Sequence, residues 1–264
     1  VEIVGVGRSD ESLQTAIDLG VIDAATSDIA AAVKNADMIL IAAPVAQTPS
    51  ILSAIKPHLA ASTVITDAGS TKSDVMQYAQ EVLGTQFNQF VGGHPIAGAE
   101  KSGVRAAMAD LYYSKNVVLT PAPATDAQAI QQVKTLWQTC GANVSEMTAA
   151  THDGIFAAVS HLPHLLAFAL VDDIASRPNA EQLFSFAASG FRDFTRIAGS
   201  HPEMWRDISL ANRTALLNEL EIYQQALKKL QELLKSEDGA GLEALFERAS
   251  VARNNWGGSI KHNQ

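Results

Sequence analysis

Met38-Ile39-Leu40-Ile41-Ala42-Ala43 is an unbroken apolar run of six residues. Its length suits a strand, and a strand with no polar alternation is the kind buried on both faces of a parallel sheet. The pattern around it supports that reading. Upstream, Glu2–Val6 reads as a strand, Ser9 can cap a helix over Asp10–Leu19, and Gly20 can end it. Ser27 can cap a second helix that reaches Asn35. Downstream, Thr48-Pro49 opens a helix with Pro57 just past its end. Thr63–Thr66 reads as a strand and Ser70–Leu83 as a helix. Phe90–Gly92, Asn116–Thr120 and Ala142–Val144 read as strands, with Asp126–Cys140 a helix between the last two. Such alternation predicts a Rossmann-like α/β fold with a doubly wound parallel sheet.

From about Thr148 the strand signal stops, and Glu181–Ala188, Pro202–Lys235 and Leu242–Asn254 read as helices. The change of periodicity predicts a dinucleotide-binding domain over 1–147 and an all-α substrate and dimerisation domain over 148–264. His152–Ser176 is apolar on nearly every face, which predicts a helix buried all round in a core or a subunit interface. The longest apolar stretch, Gly154–Val171, approaches membrane-spanning length, but Ser160, His161, Pro163 and His164 interrupt it and Asp172 and Asp173 follow, so no membrane is expected. Pro163 removes a backbone donor and predicts a kink near Val159.

The 264 residues are 47% hydrophobic and 18% charged, enough for a sizeable core. A net charge of −9 argues against a nucleic-acid partner but leaves room for an anionic small molecule held by a few arginines. Cys140 is the single cysteine, so no internal disulfide forms, and no Cys/His cluster has zinc spacing. With no signal peptide at Val1-Glu2-Ile3-Val4, these features lead to the expectation of a cytoplasmic protein.

Ligands of open parallel sheets bind beyond the carboxyl ends of the strands. Ala43-Pro44-Val45 falls there, and so does Asp67-Ala68-Gly69-Ser70-Thr71-Lys72, where Ser70 also reads as a plain helix cap. The second tract lacks the glycine spacing of a P-loop. A G-x-G-x-x-G fingerprint is absent; Gly5-Val6-Gly7 is only a fragment, after what reads as a second Rossmann strand. NAD enzymes often carry an acidic residue at that strand's end. Here Arg8 and Ser9 follow, a pair suited to a 2′-phosphate, so NADP is favoured over NAD. A surface arginine near a helix start is the plainer alternative.

His94 sits among glycines in Gly92-Gly93-His94-Pro95-Ile96-Ala97-Gly98-Ala99-Glu100-Lys101-Ser102-Gly103. Glycines allow close backbone approach, and histidine exchanges protons near neutral pH. On an ideal helix His152, Ser160 and His164 share a sector of about 120°, while His161 lies about 180° from His152 and faces packing or a partner. Histidines satisfied within a core are the alternative. Arg192 and Arg196 suit carboxylate capture, and Asp193 can orient Arg196. An exposed ion pair worth under about 1 kcal/mol is the alternative there, as for Glu100 and Lys101.

In order and spacing, Asp67–Lys72, His94–Gly103, Thr151–His164 and Gly190–Ala198 together resemble the prephenate/arogenate (cyclohexadienyl) dehydrogenases of tyrosine biosynthesis. The resemblance runs from the second Rossmann strand onward. It implies NAD(P)-dependent oxidative decarboxylation of prephenate and/or arogenate in a homodimer. It makes His94 the acceptor of the ring hydroxyl's proton and Ser70 a hydrogen-bonding partner of that hydroxyl and of the histidine. It gives Arg196 the ring carboxylate, and places Glu100, His152, Ser160, His164 and Asp193 along the pocket. Arg8, Ser9, Ala43, Pro44, Val45, Asp67 and Gly69 fall to the cofactor side. Ala99 stands where some relatives have threonine, which removes one possible pocket hydrogen bond. A strand and glycine-rich loop, roughly 25–30 residues, are expected ahead of Val1. The competing expectations are a β-hydroxyacid dehydrogenase, whose catalytic lysine would sit on the helical domain, and a truncated, non-catalytic dimerisation module.

Overall fold

The computed structural model describes residues 1–7, 9–98 and 103–261. It opens with β1 (Val4–Val6), α1 (Asp10–Asp18), β2 (Ala24–Thr26) and α2 (Ile29–Val33). Ser9 caps α1, its Oγ accepting the Ser12 N–H at 3.2 Å. Asp28, rather than Ser27, caps α2 by accepting the Ala30 and Ala31 N–H groups. The next elements are β3 (Met38–Ile41), α3 (Thr48–Ile55), β4 (Val64–Asp67), α4 (Ser73–Leu83), β5 (Phe90–Pro95), β6 (Asn116–Thr120), α5 (Ala127–Thr139) and β7 (Asn143–Glu146).

The strands form a two-stranded sheet, β1-β2, and a five-stranded sheet in the order β3-β4-β5-β6-β7. The prediction of a wholly parallel sheet needs one correction: β5 pairs antiparallel with β6, His94 opposite Val118. Among the described residues between them there is only a short 3-10 turn, Val104–Ala106, and no crossover helix. A parallel neighbour needs such a crossover; an antiparallel one does not. β6 and β7, joined by α5, are parallel.

Side chains along β4 and β5 alternate between two cores. Ile65 and Phe90 pack with Leu52, Ile55, Val75 and Leu83 of α3 and α4. Val64 and Val91 pack with Val117, Leu119, Val133 and Trp137. Helices thus cover both faces, as the doubly wound class requires.

The helical part follows as α6 (Ala149–Phe156), a π-helical turn at Ala157–His161, α7 (Leu162–Ala175), α8 (Ala180–Ser185), α9 (Ser189–Thr195), α10 (Pro202–Ala211), α11 (Arg213–Lys235) and α12 (Gly239–Lys261). Pro163 has no N–H to give the Val159 carbonyl, and the chain answers with the π turn at the place where a kink is predicted. Ala149–Ala175 is long and apolar enough to cross a membrane by length and composition, with a mean hydropathy of 1.8. Within one chain Phe156, Ala157, Leu162 and Ala167 are buried, whereas Val159 is 67% exposed. Compactness divides the chain into Val1–Leu216 and Leu217–Gln264, so α6–α10 share a unit with the sheets. The second unit holds most of α11 together with α12.

Candidate active site

β4 ends at Asp67, and the chain turns through Gly69 before α4 begins at Ser73. The turn is tight because Asp67 ties it from inside. One carboxylate oxygen accepts the Gly69 N–H at 2.8 Å and the other the Gly93 N–H at 2.9 Å. The fully buried Lys72 ammonium pairs with the same carboxylate. A Cβ on Gly69 would sit 2.8 Å from both Val45 and the Asp67 carboxylate. The expectation that Asp67 contacts a cofactor is corrected here: it is 2% exposed and spent on Lys72 and two backbone N–H groups. Ser70 is half-buried in the turn and is not the helix cap, a position taken by Lys72.

β5 runs past Gly92 to Pro95, so His94 belongs to the strand itself. Its backbone presses against β4: a Cβ on Gly93 would lie 2.7 Å from the Asp67 carbonyl oxygen. Only glycine permits that approach.

His94 meets α6 through its ring. Its Nδ1 lies 2.8 Å from His152 Nε2, and His152 Nδ1 lies 2.8 Å from Asp153 Oδ1. Asp153 also accepts the N–H groups of Lys72 and Ser73 at the start of α4, each at 2.8 Å. The Phe156 ring closes over both histidines. The expectation that His152 lines the pocket is therefore corrected: it is fully buried with both ring nitrogens bonded, and it stands behind His94. His94 is part-exposed, and with Nδ1 occupied its Nε2 remains for a ligand.

Electrostatics keep His94 neutral. Burial, with help from the charges of Lys72, His152 and His161, lowers its pKa from 6.5 to about 2, against an opposing pull from Asp153. For Asp153, burial alone would raise the pKa, but hydrogen bonds from His152, Ser73 and Lys72 outweigh it and leave the carboxyl below its usual range.

The π turn explains His161. Nine residues at 100° set it about 180° from His152 on an ideal helix; one inserted residue takes back about 100°. His161 is accordingly buried, 3.0 Å from the Asn212 side chain, whose Nδ2 also donates to the Asp153 carbonyl at 2.8 Å. Burial lowers its pKa to about 4, while the Asp153 charge and the Ser70 backbone pull the other way. His164 stacks flat on Trp205 with ring centres 3.6 Å apart and donates through Nδ1 to the Ser160 carbonyl at 2.9 Å. Burial lowers the pKa of His164, and the nearby Arg196 charge adds to that. Arg196 and Asp193 are exposed, Arg196 just after α9 and Asp193 within it. Arg8 and Glu100 lie outside the described residues.

Three residues of this network escape sequence reading, Asp153, Asn212 and Trp205, and Lys72 is read there only as part of the Asp67–Lys72 tract. Asp153 next to His152 was a signal, since a carboxylate beside a histidine can orient it. Asn212 and Trp205 reach the site only through tertiary folding.

In the five-stranded sheet β3 leads to Ala43-Pro44-Val45, β4 to Gly69-Ser70, and β5 carries His94, while β1 of the two-stranded sheet leads to Ser9. Ala43 is part-buried, Pro44 exposed and Val45 buried beneath the Gly69 turn. Ser9 Oγ accepts as a helix cap, and its own O–H is left to donate. Small residues at the adjoining ends of β3 and β4 leave room for a dinucleotide. The structure thus defines a Rossmann-type nucleotide-binding fold with a buried histidine–carboxylate site at the strand ends.

The comparisons with known proteins narrow this class. Residues 1–146 match the family model for the prephenate dehydrogenase nucleotide-binding domain, and 148–248 that for the prephenate dehydrogenase dimerization domain. The chain is 41% identical over 258 residues to the prephenate dehydrogenase of Bacillus subtilis, covering 96% of this chain and 68% of that one. It is 36% identical over 240 residues to the cyclohexadienyl dehydrogenase of Zymomonas mobilis, covering 90% and 80%. The crystal structure of Aquifex aeolicus prephenate dehydrogenase with hydroxyphenyl propionate and NAD+ superposes with a TM-score of 0.90 at 38% identity, covering 96% and 88%. The chain belongs to the prephenate dehydrogenase family and is an oxidoreductase.

Proposed function

We propose that the chain oxidatively decarboxylates prephenate, arogenate or both, with His94 as proton acceptor. The observation that carries this reading is the state of His94: neutral, with Nδ1 occupied and Nε2 left for a substrate hydroxyl. A nicotinamide dinucleotide bound along the strand ends supplies the hydride acceptor. His94 Nε2 takes the ring hydroxyl's proton as its carbon is oxidised. The C–CO2 bond then breaks, its electron pair aromatises the ring, and the proton returns to the resulting phenolate oxygen. Ser70, on the turn after β4, hydrogen-bonds the hydroxyl. Arg196 holds the ring carboxylate; its guanidinium stays charged and takes no part in proton transfer. Ser160, His164, Asp193 and Glu100 shape the pocket around it.

Ser9, Ala43, Pro44, Val45 and Gly69 border the cofactor, and Arg8 beside Ser9 favours NADP. Residues 1–147 form the nucleotide-binding domain and 148–264 the helical one, a division supported by where the two family models meet. The chain works as a soluble cytoplasmic homodimer, and the apolar surface around Val159 is covered by the second copy. Assays of prephenate and arogenate, each with NAD and with NADP, test the reading. Cofactor reduction with equimolar CO2 release is expected, faster with NADP. No reduction with any of the four pairs would overturn it.

A further inference from the structure

The Asp153–His152–His94 string has a direction. The Asp153 carboxylate receives two backbone N–H groups and is held below its usual pKa range, so toward His152 it acts as an acceptor only. A neutral His152 must then carry its proton on Nδ1, leaving a lone pair at Nε2. Facing that lone pair at 2.8 Å, His94 must carry its own proton on Nδ1. Its Nε2 is then the nitrogen that carries the free lone pair. The opposite arrangement would set the Asp153 oxygen against a His152 lone pair and leave His94 with an N–H where a base is needed. The charged or titratable groups around the string are Lys72, paired with Asp67, together with Asp74 and His161.

We propose that His152 and Asp153 are positioning residues that lock His94 in the tautomer with Nε2 unprotonated, so that His94 enters each cycle already a base. This rests on the reading of His94 as proton acceptor and adds that its tautomer is imposed from behind. The test compares His152→Gln with His152→Met. Glutamine keeps an oxygen acceptor toward His94 and an N–H group toward Asp153; methionine fills the space with neither. Steady-state kinetics with prephenate and the nicotinamide cofactor are paired with 15N NMR of the His94 ring in ligand-free protein.

Wild type and H152Q are expected to show Nδ1 protonated and Nε2 bare. H152M is expected to shift protonation to Nε2 and to lose at least tenfold in kcat, with KM within threefold and H152Q retaining at least fivefold more turnover. A packing role would reverse that order, since methionine suits a buried site better than glutamine. Wild-type His94 protonated on Nε2, or H152M turning over as well as H152Q, would overturn the proposal. The ring spectrum of wild type decides this even if H152M fails to fold. Failure of the base assignment itself is separate: it would appear as full turnover in His94→Asn, whatever the tautomer.

Discussion

Two histidine clusters lie along α6 and α7, and they are built in opposite ways. Around His152 the polar groups are bonded to one another from behind: His94, Asp153, His161 and Asn212 form a mostly buried set in which His94 Nε2 is left outward. Around His164 the arrangement is open: a half-buried ring lies flat on Trp205, with exposed Arg196 near enough for its charge to be felt. A closed network fixes orientation and protonation, which suits proton transfer. An open one offers a flat stack and a cation, which suits holding a carboxylated ring. The π turn between them makes both possible, bringing His161 to the buried side.

The contrast breaks most sharply at His94. His94→Asn should cut kcat about 10²–10⁴-fold with KM within a few-fold, measured by steady-state kinetics. Turnover within a few-fold of wild type would remove the closed cluster from the chemistry. Next comes its foundation. Lys72→Met leaves the buried Asp67 carboxylate without its cation and should cost about 3–5 kcal/mol in urea denaturation. A loss below 1 kcal/mol would show that Asp67 does not depend on the pair.

Acid should loosen the closed cluster next. His94 and His161 have folded pKa values below the unfolded 6.5, so the unfolded chain binds more protons in the acid range. Their contribution is complete above pH 6.5 and is lost as pH falls toward 4, on the order of a few kcal/mol. Thermal melts from pH 7 to 4 check this, and a flat Tm would contradict it. The smallest effect belongs to the open cluster: Arg196→Ala should raise KM about tenfold, roughly 1.4 kcal/mol, with kcat nearly unchanged. An unchanged KM for both substrates would take the carboxylate away from Arg196.

Much of the fold was legible in local pattern. Met38–Ala43 and the helices beside it announce a doubly wound sheet. The antiparallel turn of β6 was not legible, because strand direction depends on what connects β5 to it. β2 was missed because Ala24-Ala25-Thr26 is short and carries little strand signal. At the site, His94 stands out through its glycines, whereas His152 and Asp67, which read as ligand contacts, are buried supports. Exposure is a tertiary property, and neither residue type reveals it. His161 is packed inside, as its helix position predicts, but on the side of His152 rather than opposite it, because an inserted residue at the π turn breaks the 100° count.

The central claim is that His94 waits as a neutral base at working pH. NMR titration of its ring in ligand-free protein from pH 8 to 5 tests this most directly. The account predicts a neutral imidazole throughout, as a pKa lowered to about 2 requires. A titration midpoint near 6.5, the ordinary histidine value, would contradict it.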